Sequence, residues 1–309
     1  MARLPRNISI DEQGFYHLRG QISGPAGYYP LQKRENALFL ISRIRLLTSF
    51  FFCQVASLSI MGNHYHLVLR FEAFRPLDRP TLEQIARLLY QHRSYRPYPR
   101  WKQPQWERFN RRLFNPSELM RNLHSDFATW FNRRYGRKGP LWAGRFSHSE
   151  VENLEEAVFY VELNAVRAHL VRRPEKWRYC SAWMRRHGQD DWLMPLSELM
   201  VEGKSPKQCR KLFWTRLYWR GTRPSKENDG LISLELAEQM EQEGFQRGCY
   251  LQSVPGFSRG RVIGSHRRIE EALDRERARG TYKRRRNPVY LGVGNLYQMR
   301  EQRSNYVRV

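Results

Sequence analysis

The residues with the clearest chemical promise lie in the stretch Ile60-Met61-Gly62-Asn63-His64-Tyr65-His66-Leu67-Val68-Leu69-Arg70. Gly62 and Asn63 beside apolar runs signal a tight turn, so the residues after them begin a strand. Side chains alternate along a strand, which puts His64 and His66 on one face and Tyr65, Leu67 and Leu69 on the other. Two imidazoles at that spacing can hold one divalent cation, although a His-x-His pair alone more often marks an ordinary polar strand face. Much farther along the chain, Glu156, Tyr160 and Asn164 recur at four-residue spacing. They border an apolar stripe of Leu154, Ala157, Val158, Val161, Ala165 and Ala168, and so form one polar ridge on a helix. Tyrosines at such borders commonly bury the ring and expose the hydroxyl. The ridge gains chemical meaning if it faces the two histidines.

These groups need a scaffold, and the chain is long enough to supply one. Its 309 residues, 40% hydrophobic and 13% aromatic, suffice for a packed core in one large or two ordinary domains. Lys and Arg number 54 against 30 acidic residues, a net charge of +24, which points to a polyanionic partner, nucleic acid first. A membrane-surface role asks for an amphipathic anchor or a long apolar span, and neither is evident. The most apolar segment, Leu46 to Met61, is too short to span and reads as core. No charged-then-apolar leader opens the chain, which argues against export. Cys53, Cys180, Cys209 and Cys249 are scattered, with no Cys-x-x-Cys spacing. They fit a reducing cytoplasm and speak against a zinc finger or a disulfide scaffold.

Taken in order, residues 14–22 predict a first strand carrying His17, either a plain polar-face residue or a partner beside the metal. The spacing of Leu38, Leu40, Ile41, Ile44 and Leu47 predicts a helix packed on a sheet. Residues 52–60 and 64–71 then form a hairpin with the histidines on its second strand. An insertion at 74–116 holds a short helix from Thr81 to about His92 and a run, Arg93 to Arg112, in which aromatics alternate with arginines. That mixture suits unpaired nucleic acid, cations for phosphates and rings for bases; a Pro-stiffened loop with docked rings fits equally well.

Ser117 can cap a helix through Leu119, Met120, Leu123, Phe127, Trp130 and Phe131, with His124 beside its stripe as a packed histidine. The basic residues at its end, Arg133, Arg134, Arg137 and Lys138, and Arg145 in the strand expected at 141–149, are the candidate DNA-backbone contacts. Asn153-Leu-Glu-Glu156 is an N-cap with Glu at the third helical position, so the helix of Tyr160 begins there. From 190 to 309 a second, basic region shows helices near Ser205–Arg220, Leu231–Glu243 and Arg261–Leu273, with no catalytic spacing. It reads as extra DNA contact or partner docking, or as a solvated tail.

Three motifs in order carry a resemblance: His64-Tyr65-His66 after Met-Gly-Asn; Trp130-Phe-Asn-Arg-Arg-Tyr-Gly-Arg-Lys-Gly-Pro-Leu-Trp-Ala-Gly-Arg-Phe146; and Tyr160-Val-Glu-Leu-Asn-Ala-Val-Arg167. Together they resemble the single-tyrosine HUH transposases, above all the REP-associated tyrosine transposases and their insertion-sequence relatives, over roughly residues 1–185. The resemblance implies an α+β fold, a ferredoxin-like antiparallel sheet with packed helices, followed here by a mainly helical basic region. By position it makes His64, His66 and Asn164 the ligands of a divalent metal, Mg²⁺ or Mn²⁺, and Tyr160 the nucleophile. Two positions depart from the family's Asn-Pro-Val-Arg-Ala-Gly: Ala165 stands for Pro and His169 for Gly. Tyr65 also replaces an aliphatic, and strand alternation turns it away from its neighbours.

What the resemblance implies is nicking and strand transfer on single-stranded or hairpin DNA through a 5′-phosphotyrosine, in a cytoplasmic, nucleoid-associated protein. Related enzymes include dimers that share active sites and chains that act alone, so a homodimer stays open. A free phenol has a pKa near 10, and Arg145, Lys138 and Glu156 are the candidates to activate it. Binding through many arginines should weaken with salt, by about 0.7 in log K per phosphate contact on a log-salt axis. The alternatives are a DNA-binding protein that recognises repeat hairpins without cutting, and a replication initiator or relaxase. The latter usually brings a third histidine or a helicase segment, and no phosphate-loop motif is present.

Overall fold

The computed structural model describes residues 8–91, 100–224, 229–242, 260–278, 288–290 and 297–300. In chain order they form β1 (Gly14–Gln21), α1 (Arg34–Thr48), β2 (Cys53–Ile60), β3 (His64–Phe71), α2 (Arg79–Gln91), α3 (Gln103–Leu113) and α4 (Pro116–Arg134). Then come β4 (Ser147–Val151), α5 (Leu154–Glu162), α6 (Asn164–Arg167), α7 (Ser181–Arg186), α8 (Leu196–Leu199), α9 (Pro206–Gly221) and α10 (Leu234–Gln242). The described chain ends with β5 (Gly260–Gly264), α11 (His266–Ala278), β6 (Val289–Tyr290) and β7 (Tyr297–Arg300). The fold is α+β, and it gathers into two compact units, each discontinuous in sequence: Ile8–Phe146 with Arg178–Met194, and Ser147–Trp177 with the described part of Pro195–Val309.

In the first unit three antiparallel strands lie in the order β2-β3-β1. The turn Met61-Gly62-Asn63 is fastened on both sides, since Leu31 N–H donates to Gly62 O at 2.9 Å and Ile22 N–H to Asn63 O at 2.8 Å. Glycine is required at 62 because a Cβ there would stand 2.6 Å from the Tyr29 ring. Alternation sends Tyr65, Leu67, Leu69 and Phe71 into a continuous core with Leu40, Ile44 and Leu47 of α1 and Leu119, Leu123 and Phe127 of α4. Shortening any of these leucines to alanine costs about 2–5 kcal/mol, because the close-packed walls collapse only in part. Asn115, not Ser117, caps α4: its side chain accepts from Ser117 N–H at 2.8 Å, with Pro116 in the first turn where no N–H is needed. The segment 178–194 binds the sheet through Arg185, 1% exposed, which donates to Ala56 O at 3.1 Å and Met194 O at 3.0 Å.

The arginine–aromatic run departs from its base-stacking reading. Residues 103–113 are helix α3, with Trp106 and Phe109 buried and Trp101 edge-on to Trp106 at 4.9 Å. The guanidinium of Arg79 covers Trp106 at 4.2 Å and that of Arg111 covers Phe74 at 4.8 Å. Trp106 and Phe109 are thus used in the interior and offer no faces to bases. Residues 93–99 lie outside the described residues.

In the second unit β4 runs parallel to β5, which pairs antiparallel with β7, and β7 with β6, giving the order β4-β5-β7-β6. Helix α11 covers β5 and β7 through Val262, Ile269, Ala272, Leu273 and Met299. The C-terminal region expected to be mainly helical therefore also carries three strands. Helix α9 buries Cys209, Phe213, Trp214, Leu217 and Tyr218, and Phe213 meets Phe159 of α5 at 5.9 Å. Tyr218 Oη donates to Glu175 Oε1 at 2.6 Å.

Candidate functional site

The histidine pair is set by the β1–β3 ladder, in which His64 opposes Gln21, His66 opposes Arg19 and Val68 opposes His17. Opposed residues share a face, so His17, Arg19 and Gln21 join His64 and His66, with Ser59 of β2 alongside. The two rings stand 5.2 Å apart, centre to centre, and nearly perpendicular at 81°. His64 Nδ1 lies 2.9 Å from Asn63 Oδ1. An amide oxygen only accepts, so Nδ1 carries the proton and Nε2 the lone pair. Burial first, and the Arg19 charge second, lower the His64 pKa from 6.5 to about 4. The ring is neutral at pH 7, the form that ligates metals.

His66 is tied back in the same way, its Nδ1 2.8 Å from His17 Nε2 with the two rings stacked at 5.1 Å. Both are buried, His66 at 3% exposure and His17 at 2%. The sequence leaves His17 between two roles, and the ladder places it against His66. Asn63 goes unrecognised in the sequence except as a turn residue, although its adjacency to His64 is the signal that could have found it.

Tyr65 points to the opposite face, as alternation predicts. It is fully buried, with Oη 2.9 Å from His124 Nε2 while Trp142 stacks on His124 at 3.9 Å. Burial pushes its phenol well above the ordinary tyrosine range. His124 is a packed core histidine.

Tyr160 and Asn164 belong to the second unit, the histidine pair to the first. Asn153 caps α5 by accepting from Glu156 N–H at 3.0 Å, as expected. The helix then breaks at Leu163 and resumes as α6, so the ridge of Glu156, Tyr160 and Asn164 is not one uninterrupted face. Glu156 is taken up in a buried ion pair, with Arg220 of α9 donating to its Oε2 from Nη2 at 2.6 Å and from Nε at 3.0 Å. Burial raises its pKa and Arg220 opposes the rise. One residue back, Arg216 Nη1 meets Glu155 Oε2 at 2.8 Å.

The cation at the Tyr160 ring is Arg167, with Cζ 5.2 Å from the ring centre and Nη1 donating to Tyr160 O at 3.4 Å. Arg145 and Lys138 lie in the first unit. Arg167 went unassigned in the sequence, although on the unbroken helix that the sequence predicts a spacing of seven would put it on the side of Tyr160. The Asn164 amide nitrogen is buried and has no hydrogen-bond acceptor among the described residues.

Of the candidate DNA contacts, Arg133, Arg134, Lys138 and Arg145 are exposed. Arg134 Nη2 is paired with Glu35 Oε2 at 2.6 Å, and Arg137 lies over the Phe131 ring at 5.8 Å. Arg145 follows a stretch fastened to the histidine end of β1, where Ala143 N–H donates to Gln21 O at 2.8 Å. Among the described residues no group of three or more His, Cys, Asp and Glu gathers to hold a metal ion; the expected set, two histidines and an amide, contains only two residues of those types. No helix among them is long and apolar enough to cross a membrane.

No family model matches the chain, and no curated protein matches it. Among solved structures it bears a distant similarity to a REP-associated tyrosine transposase bound to a REP hairpin, with 14% identity, 63% of this chain and 89% of that chain covered, and a TM-score of 0.39.

Proposed function

We propose that this chain nicks and rejoins single-stranded DNA at hairpin or repeat sequences, with Tyr160 as nucleophile. The observation that supports this reading most is the preparation of the histidine pair. Two adjacent imidazoles on one strand face each have Nδ1 engaged by a neighbour, Asn63 or His17. Ligating histidines are normally held through the other ring nitrogen in this way, whereas an incidental pair has no need of it. The ferredoxin-like sheet of the resembled family accords with the β2-β3-β1 order.

By residue type the donor set suits a divalent metal. His64 presents a lone pair on Nε2, His66 does so in the tautomer that donates to His17, and turning the Asn164 amide over replaces its orphaned nitrogen with oxygen. His64, His66 and Asn164 would hold Mg²⁺ or Mn²⁺, imidazole favouring manganese, and the ion would supply Lewis acidity to a phosphoryl oxygen.

The chain's own groups do the rest. Tyr160 Oη attacks the phosphorus in line, the bond from phosphorus to O3′ breaks, and the proton lost by the phenol is matched by the one gained at the departing 3′-hydroxyl. The 5′ phosphate stays on the tyrosine, so a 3′-hydroxyl can reverse the step without water or ATP. Of the candidate DNA-backbone contacts Arg133, Arg134, Arg137, Lys138 and Arg145, all but the half-buried Arg137 lie exposed at the surface.

The test is incubation with a hairpin oligonucleotide and Mn²⁺, followed by denaturing electrophoresis and peptide mapping. A covalent adduct on Tyr160, absent from Tyr160→Phe, is expected. Binding without an adduct would leave a DNA-binding protein that does not cut, and an adduct on Tyr65 would overturn the assignment.

A further inference from the structure

We infer that Arg167, held in place by Asp229 of the C-terminal region, is the positioning residue that poises the Tyr160 phenol for reaction. The inference rests on Tyr160 being the nucleophile but concerns the unassigned last residue of that motif and a segment, 229–232, that no motif touches. Arg167 lies across the Tyr160 ring at 5.2 Å and is anchored to its backbone carbonyl. On its other side Arg167 Nε stands 3.9 Å from Asp229 Oδ2, with both side chains nearly enclosed, at 9% and 14% exposure. Among the described residues, the titratable and charged groups that act on Arg167 are Tyr160 and Glu156 from α5, Arg220 from α9 and Asp229 from the segment before α10. Burial lowers the Arg167 pKa to about 10, which leaves it cationic at neutral pH.

The segment that brings Asp229 is seated by backbone. Gly230 N–H donates to Arg167 O at 3.0 Å, and Ile232 N–H donates to Gly221 O at 2.9 Å. A Cβ at residue 230 would stand 2.1 Å from Val166 O, so only glycine allows this approach. Residues 229–232 thus join the end of α6 to the end of α9, and the guanidinium they steady faces the one tyrosine that the proposed chemistry uses. A fixed cation beside a phenol favours the phenolate, and an opposite charge at about 4–6 Å typically moves such a pKa by 1–3 units.

The test is carbon NMR of the full-length protein labelled at tyrosine Cζ, with the Tyr160 signal assigned by its loss in Tyr160→Phe. Arg167→Gln should raise the pH at which Tyr160 titrates by about one unit, a tenfold change in its ionisation constant, and Arg167→Lys should move it less. Asp229→Asn separates positioning from simple charge. Removing a nearby negative charge through space lowers a phenol's pKa, whereas releasing Arg167 from its hold raises it, and a rise is expected. Unchanged titration in folded Arg167→Gln, or a fall in Asp229→Asn, overturns the inference; should Arg167→Gln not fold, the Asp229→Asn result decides alone.

The adduct assay runs beside it, with a roughly tenfold slower reaction expected for Arg167→Gln at pH 7 and recovery at higher pH. A Tyr160 signal that responds to Arg167 in a protein that forms no adduct would sink the proposed function and leave the Arg167–Tyr160 relationship standing.

Discussion

His17 Nε2 lies 2.8 Å from His66 Nδ1, deep on the polar face of the β1–β3 ladder. One proton joins the two rings. When His66 donates it, its Nε2 keeps a lone pair and its ring is fixed in plane by a partner 49 residues earlier. Losing such a support typically weakens metal affinity 10–100-fold. His17→Ala is therefore expected to weaken Mn²⁺ binding by that factor in isothermal titration, with His17→Gln, which can still accept, falling between. Unchanged affinity in a folded His17→Ala protein would mean that His66 is oriented by something else.

The His64 ring makes the fold sensitive to acid. Its folded pKa, about 4, lies below the ordinary 6.5, so between those values the unfolded chain binds a proton that the native ring refuses. The resulting stability is complete above pH 6.5 and is lost as pH falls toward 4, by up to about 3 kcal/mol at 1.4 kcal/mol per unit. Urea unfolding in EDTA, compared between wild type and His64→Gln, should show this increment in the difference between the two pH profiles. Parallel profiles would refute it.

Glu156 and Arg220 form a pair almost closed to solvent, with side-chain exposures of 6% and 5%. Truncating one partner of such a pair strands the other charge, at a cost of about 3–5 kcal/mol. Arg220→Met should lose stability of that order at pH 7. Burial already raises the Glu156 pKa, and removing Arg220 takes away the positive charge that opposes the rise. The folded state then holds the carboxyl proton more tightly than the unfolded state does, so the deficit should shrink as pH falls from 7 toward 5. The double variant Glu156→Leu with Arg220→Met, which leaves no stranded charge, should recover most of the loss in chemical denaturation.

The sequence is most legible where one periodicity governs. The hairpin, the two-residue offset of the histidines and the opposite direction of Tyr65 follow from strand alternation alone, and the cap at Asn153 follows from side-chain chemistry. Contacts between distant segments are another matter. Arg220 on Glu156 and Asp229 on Arg167 join residues that share no local pattern, so the C-terminal region reads as an appendage although it is built around the tyrosine helix. The described part of the Arg93–Arg112 run, residues 100–112, misleads for a related reason. Guanidinium groups over rings suit unpaired bases and protein interiors alike, and only tertiary packing on α2 turns Trp106 inward.

His169 ends the Tyr160 segment in a left-handed conformation, with φ of 56°. Its N–H donates to Val166 O at 2.9 Å and that of Leu170 to Ala165 O at 2.9 Å, the paired bonds of a Schellman cap whose turning residue is usually glycine. This is the place where the resembled motif has glycine and this chain has histidine. A Cβ in that conformation costs about 1 kcal/mol, offset in part by the greater freedom that glycine gives the unfolded chain. The side chain is exposed, with Nδ1 next to Gly230. His169→Gly should therefore raise stability by about 0.5 kcal/mol, and His169→Val, β-branched at a positive φ, should lower it by about 1 kcal/mol or more. Equilibrium urea unfolding of the two variants tests the cap, and the reverse order of stabilities would show that this turn does not hold the conformation described.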